Sequence, residues 1–270
     1  ALLTGIIVWR TLEDARSRIE YRLLDAARAD AEALDREFNG TIRVLQTLAR
    51  SPLLDGADLA AFWAEAERAV RAQHGWFAVI LLTPDGRQLV HTDVPYGQPL
   101  RHAAEPGSLR EVRDTRRPVV GPLARGQRNS KLRFPIRVPV EREGSLRYVL
   151  TAVMEPESLT EVVRSRLPET EEWTRAIVDP GLVIAARSRD GDRYVGRPVT
   201  AEGAPRVLRP PDVPFQGTSL EGEPLYSALS RGAFGWTTSV SVPAALLDGP
   251  VRDSIVAILV GGTVLILGGL

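Results

Sequence analysis

Residues 74–90 read HGWFAVILLTPDGRQLV, and residues 173–188 read WTRAIVDPGLVIAARS. Each stretch starts as a short apolar run with aromatic and β-branched members, meets a Pro-containing turn, and returns as a second run. That pattern predicts two antiparallel hairpins. The first joins Trp76–Thr83 to Arg87–Thr92 through Pro84-Asp85-Gly86; the second joins Trp173–Asp179 to Leu182–Ser188 through Pro180-Gly181. Trp76 and Trp173 lie 97 positions apart. Tyr96-Gly97-Gln98-Pro99-Leu100 is echoed by Val195-Gly196-Arg197-Pro198-Val199, with the glycines 99 positions apart. Two signals at nearly one offset predict a duplicated unit.

Working outward, a helix is predicted over Ser108–Arg116, opened by a capping box of Ser108 with Glu111. Strands follow at Pro118–Leu123, Leu132–Val140 and Leu146–Met154, the last two joined by the polar turn Glu141–Ser145. A second capping box, Ser158 with Glu161, opens a helix that ends at Pro168. The second copy then closes with Phe215–Leu220, a Glu221-Gly222-Glu223 turn, Leu225–Leu229 and Gly235–Val242. Hairpin, helix and antiparallel strands make an α+β unit.

Upstream, Thr11–Arg50 contains no Pro and only Gly40 as glycine. Its apolar residues Leu12, Ala15, Ile19, Leu23, Ala27, Ala31, Leu34, Phe38, Ile42 and Leu45 recur at spacings of three and four. Such a helix is about 60 Å long at 1.5 Å per residue and suits a stalk or dimer spine. Ser51-Pro52 ends it, and a shorter helix is expected over Asp58–Gln73 with Leu59, Phe62, Ala66 and Val70 on one face.

The two ends are apolar. Ala1–Trp9 stops at Arg10, and Ser254–Leu270 carries no charge and is rich in Ile, Val, Leu and Gly. Both are shorter than the roughly 20 residues that span a bilayer, so they read as trimmed membrane helices. A signal peptide is the alternative for the first run and a buried core helix for the second. With two crossings, the region between them lies outside the cytoplasm.

Composition narrows the chemistry. The 270 residues carry 34 basic and 34 acidic side chains, a formal net charge of zero that favours no nucleic-acid partner. No cysteine is present, which excludes disulfides, thiolate nucleophiles and cysteine metal sites. His74, His91 and His102 stand at no metal-binding spacing, although His91 with Asp93 could hold an ion at a hairpin end. No nucleophile elbow, P-loop or dinucleotide fingerprint occurs. Asp190-Gly191-Asp192 reads as a turn, because the remaining ligands of a calcium loop are missing. Neither a catalytic residue nor a metal or other cofactor is expected. Arg113, Arg116 and Arg117 could receive an anionic ligand, since a guanidinium fork matches a carboxylate, or could simply be a solvated helix end.

Taken together, the long helix, the tandem units and the apolar ends resemble the double Cache extracellular sensors, whose two modules are PAS-like. The phrases that carry the resemblance are HGWFAVILLTPDGRQLV (74–90), RRPVVG (116–121), FPIRVPVEREGSLRYVLTAVMEPESL (134–159), WTRAIVDPGLVIAARSRDGDRYVGRPV (173–199) and GWTTSVSVPAALLDGPVR (235–252). The resemblance implies an α+β chain in six parts. Residues 1–10 would end one transmembrane helix and 11–50 form the stalk. Residues 51–155 would be a membrane-distal module, 156–172 a linking helix and 173–247 a membrane-proximal module. Residues 248–270 would begin the second membrane helix. It also implies a homodimeric sensor in the bacterial inner membrane, with a periplasmic small-molecule site in the first module. Its output would lie in a missing cytoplasmic part, a histidine kinase before a chemoreceptor or cyclase. A membrane-anchored enzyme, a solute-binding component and a structural module are the competing classes. Trp76, His91, Tyr96, Arg125, Arg133 and Tyr148 are the candidate ligand-binding residues, for a ligand that could be anionic. Amino-acid-binding members carry an Arg-x-Trp-Tyr element, and Arg125–Arg133 (RGQRNSKLR) occupies that neighbourhood without aromatics.

Overall fold

The computed structural model describes residues 2–56, 58–126, 129–164, 173–210 and 213–246. Helix α1 runs from Leu2 to Leu48. From Leu23 onward its apolar stripe is buried within the chain itself: Leu23, Ala27, Ala31, Leu34, Phe38, Ile42 and Leu45 pack inward. The residues expected as a stalk or dimer spine therefore pack against both sheet units over this length, and Ile19 adds to the same contact. After a 3-10 turn at Pro52–Leu54, α2 (Leu59–Ala72) is capped by Asp58, whose side chain accepts from the Ala61 N–H. Phe62 and Ala66 are its buried face, as the periodicity predicts.

The first unit contains β1 (Trp76–Leu82), β2 (Gln88–His91), α3 (Pro106–Thr115), β3 (Val119–Val120), β4 (Ala124–Arg125), β5 (Leu132–Arg142) and β6 (Ser145–Met154). A 3-10 turn at Pro156–Leu159 and the short α4 (Thr160–Arg164) follow. The predicted end at Pro168 lies outside the described residues. The second unit contains β7 (Thr174–Val178), β8 (Ile184–Arg187), α5 (Gly191–Tyr194), α6 (Ala204–Leu208), β9 (Phe215–Thr218), β10 (Pro224–Arg231) and β11 (Thr237–Pro243).

Neither capping box forms. Glu105 caps α3 instead, accepting from the Gly107 and Ser108 N–H groups, with Pro106 in the first turn where its missing N–H costs nothing. Ser158 lies in the 3-10 turn, where its hydroxyl donates to the Glu155 carbonyl.

Duplication is visible in the pairing. The first sheet runs β2-β1-β6-β5-β3, with β4 also paired to β5, and the second runs β8-β7-β11-β10-β9. Every neighbour is antiparallel, and both hairpins slip register at the same place, between Leu81 and Leu82 and between Ile177 and Val178. Hydrogen bonds fix a common offset of 96: Thr92 donates to the Val79 carbonyl and Ser188 to that of Arg175. A further register shift between Trp76 and Ala78 adds one residue to β1, which accounts for the 97 positions separating Trp76 from Trp173. The glycine motifs fare differently. Gln88 N–H donates to the Arg101 carbonyl and Ile184 N–H to that of Arg197, so Arg197-Pro198-Val199 matches Arg101-His102-Ala103. The predicted echo of Tyr96–Leu100 in Val195–Val199 is out of structural register by three residues.

One face of each sheet packs on α1. Phe38 of α1, Phe134 of β5, Trp236 just before β11 and Phe234 form a ring cluster with centroids 5.0–5.9 Å apart, where helix and both units meet. Asp179, in the turn after β7, adds a polar tie. Its carboxylate accepts from the Leu123 N–H of the first unit at 2.7 Å and from the Val183 N–H at 2.8 Å.

Candidate ligand-binding site

Alternation along β5 separates two chemistries. Phe134, Ile136, Val138 and Val140 face α1, while Arg133, Pro135 and Arg137 face the opposite side. On β6, Leu150, Ala152 and Met154 join the α1 face, and Thr151 and Val153 the other. The second face lines a cavity of about 250 Å3, covered by the loop after β2, the entry to α3 and the β4–β5 turn. Its floor includes Phe77, Ile80 and Leu82 of β1.

Arg133 is the group that the cavity leaves unfinished. It is 7% exposed, and its guanidinium carbon lies 3.3 Å from the centroid of the Phe77 ring. One terminal nitrogen donates to Asn129 Oδ1 at 3.0 Å, whereas the buried Nε has no acceptor. Leaving a buried donor unmade costs about 1–3 kcal/mol.

Arg137, two residues on, is complete. Its Nε donates to Ser108 Oγ at 2.8 Å, and its terminal nitrogens donate to Thr151 Oγ1 at 3.4 Å and to the Glu105 carbonyl at 2.8 Å. The Glu105 carboxylate stands 3.7 Å away and accepts from the Ser108 hydroxyl. Burial pushes the Arg137 pKa down to about 10, with Glu105 pulling the other way, so it stays a cation at neutral pH.

His91, at the end of β2, reaches the rim. Its Nδ1 accepts from the Asp93 N–H at 3.2 Å, which in the neutral ring puts the proton on Nε2. Trp63 of α2 donates from Nε1 to the carbonyls of His91 and Val94, fixing this loop. Among the described lining residues, the arginines 101, 125, 133 and 137 outnumber the carboxylates of Asp93 and Glu105, so the cavity is biased toward anions.

Three of the six sequence candidates meet here: His91, Arg125 and Arg133. Trp76 and Tyr148 belong to the core on the α1 side, because strand alternation puts them on the other face of the sheet. Tyr96 is 51% exposed in the loop after β2 and does not line the cavity. The cluster Arg113, Arg116 and Arg117 sits at the far end of α3, where Arg113 pairs with Asp114 and Arg116 with Glu141. Sequence reasoning missed Phe77, Asn129 and Arg137. The alternation of β5 was the available signal for Arg137.

A second cavity, of about 270 Å3, opens on the corresponding face of the second sheet and is covered by α6.

No family model matches the chain, and no curated relative matches it. Solved structures do. The extracellular domain of rpHK1S-Z16, a protein assigned as a histidine kinase, aligns with TM-score 0.65 and 14% identity over 86% of this chain and 98% of its own. The ligand-binding domain of the Campylobacter jejuni chemoreceptor Tlp3, in complex with 4-methylisoleucine, gives 0.64 and 14% over 88% and 94%. That of the Pseudomonas fluorescens chemoreceptor CtaA, in complex with L-serine, gives 0.64 and 13% over 85% and 99%. In helix, sheets and strand order the chain has the double Cache-like fold of these sensor domains.

Proposed function

We propose that this chain is the extracytoplasmic sensing region of a bacterial membrane receptor and binds a small anionic molecule in its first module. In this reading residues 51–155 are the membrane-distal module and 173–247 the membrane-proximal one. The apolar ends continue into membrane helices, and a cytoplasmic output domain, a histidine kinase before a chemoreceptor or cyclase, follows. The observation that carries it is the buried guanidinium of Arg133, stacked on Phe77 in the wall of a positively biased cavity, with its Nε lacking an acceptor. Neighbours of the same fold have serine or an isoleucine derivative bound, and each carries a carboxylate beside an ammonium group. Among the described residues no helix is long and apolar enough to cross a membrane, so the anchoring is part of the proposal.

Ligand binding can shift the module between two arrangements only by its difference in affinity for them. The inner face of α1 being taken by its own sheets, a homodimer would use the outer face, where Tyr21 is 70% exposed.

The test is calorimetric titration and thermal melting with acetate, lactate, succinate and L-serine. A ligand at 100 times its Kd stabilises by about 2.7 kcal/mol, or roughly 5–10 °C for a domain of this size. A carboxylate should raise the melting temperature of the wild type and not of Arg133→Met. No response to any of the four, or an equal response in the variant, overturns the reading.

A further inference from the structure

The pairing registers map the two sheets onto each other residue by residue, and they show what became of the first cavity in the second copy. Pro135 pairs with Val153 as Ser227 pairs with Ser241, and Arg137 pairs with Thr151 as Leu229 pairs with Ser239. Along the same strand, Arg133 corresponds to Leu225. The two arginines on this face are thus replaced by leucines. Proline and valine are replaced by serines.

The result is a cavity of similar size and opposite character. Ser227, Ser239 and Ser241 form a triangle of hydroxyls on its floor, with Oγ separations of 2.9, 3.4 and 3.4 Å. Val178, Val207, Phe215 and Leu229 make the other end apolar. Of the three arginines in its described lining, Arg187 holds Glu221 at 2.7 Å and Arg206 holds Glu202 at 3.3 Å, and Arg189 stands beside Asp190 in the sequence. Whether the three hydroxyls close a ring or Ser227 donates to the Val240 carbonyl at 3.5 Å, at least three of their six lone pairs are left to accept from a guest. At about 30 Å3 per water-sized group, 270 Å3 holds roughly nine such groups.

We infer that the second module carries its own ligand site, for a small uncharged molecule with O–H or N–H groups on one edge and carbon on the other. Ser227, Ser239 and Ser241 accept from the polar edge, and Val178, Val207 and Leu229 cover the carbon edge. An anion is disfavoured because, among the described lining residues, the carboxylates Asp190, Glu202, Glu221 and Glu223 outnumber the cations Arg187, Arg189 and Arg206. The inference does not rest on the anion reading of the first module.

The experiment titrates the full chain with 1,2-propanediol, erythritol and isobutyramide, and with lactate in parallel, following backbone amides by NMR. At least one neutral probe should shift the amides of residues 227, 239 and 241 and leave those of 77, 91 and 133 in place. Ser227→Ala with Ser241→Ala should weaken it at least tenfold, and Arg133→Met should leave it unchanged. The inference is overturned if no neutral probe shifts these amides in the wild type. It is overturned equally if the serine variants bind as well, or if lactate competes for the same amides. Because the wild-type map stands alone, a serine variant that fails to fold does not remove the test. Failure of lactate to bind anywhere counts against the first-module reading only.

Discussion

Arg133 and Arg137 stand two residues apart on one strand, and the difference between them is hydrogen-bond accounting. Every nitrogen of Arg137 has an acceptor, so its role is to hold α3 on the sheet. Replacing Arg137 by leucine, the residue the second sheet holds at this place, leaves Glu105 without its cation and takes a donor away from the Ser108 and Thr151 hydroxyl oxygens. We expect a loss of about 3 kcal/mol in urea denaturation, partly recovered by adding Glu105→Gln. Asp179 gives a pH-dependent case. Burial raises its carboxyl pKa above the ordinary value, against the lowering effect of the Val183, Leu123 and Gly181 N–H groups. The folded state then holds the proton over a pH range in which the unfolded chain has released it. Its stabilising share is full below the ordinary pKa of about 3.9 and is lost as pH rises through the folded value. Asp179→Asn removes this titration and sets an amide donor against a backbone donor. Its cost should be about 1–3 kcal/mol near pH 4 and smaller near pH 7. A cost that grows with pH would sink the assignment. At this scale the sequence was half legible. Strand parity puts Arg133 and Arg137 on one face, but Trp76 and Tyr148 were chosen by residue type, and type says nothing about the face.

Helix α1 and its attachments to the second sheet illustrate the scale of elements. Asp30, 1% exposed, receives Arg175 of β7 at 2.7 Å; the Ala27 carbonyl accepts from Thr238 of β11 at 2.7 Å; and Asp35 accepts from the Ala233 N–H at 2.8 Å. Asp30→Ala leaves Arg175 buried and unpaired, and should cost about 3–5 kcal/mol by chemical denaturation. Gly196 joins the second unit to the first. With φ of +84°, a Cβ there would lie 2.4 Å from Leu132 Cδ1 of β5, so Gly196→Ala should cost about 1–2 kcal/mol and lower the melting temperature. The strands and their order were readable from the alternation and the turns. The loop register was not: Gly97 and Gly196 both have positive φ but occupy different points of their loops. Glycine marks a backbone conformation, whereas hydrogen bonds set the alignment.

Across the whole molecule, one helix and one aromatic cluster join both units. Unfolding either sheet uncovers part of the α1 stripe, so urea transitions followed by tryptophan fluorescence and by far-UV circular dichroism should coincide. Two separated midpoints would mean that the units are energetically independent. The sequence read α1 correctly as a long amphipathic helix. What covers its stripe was not legible, because periodicity reveals an apolar face without saying whether a second chain or the same chain buries it.

A helix that supplies one wall to two sheets also makes the chain indivisible from its front end. A fragment beginning at residue 51 keeps every strand yet bares the hydrophobic underside of both sheets. Offered residues 17–48 as a separate peptide, such a fragment should regain its structure by complementation, with the peptide settling along both sheets like a keel.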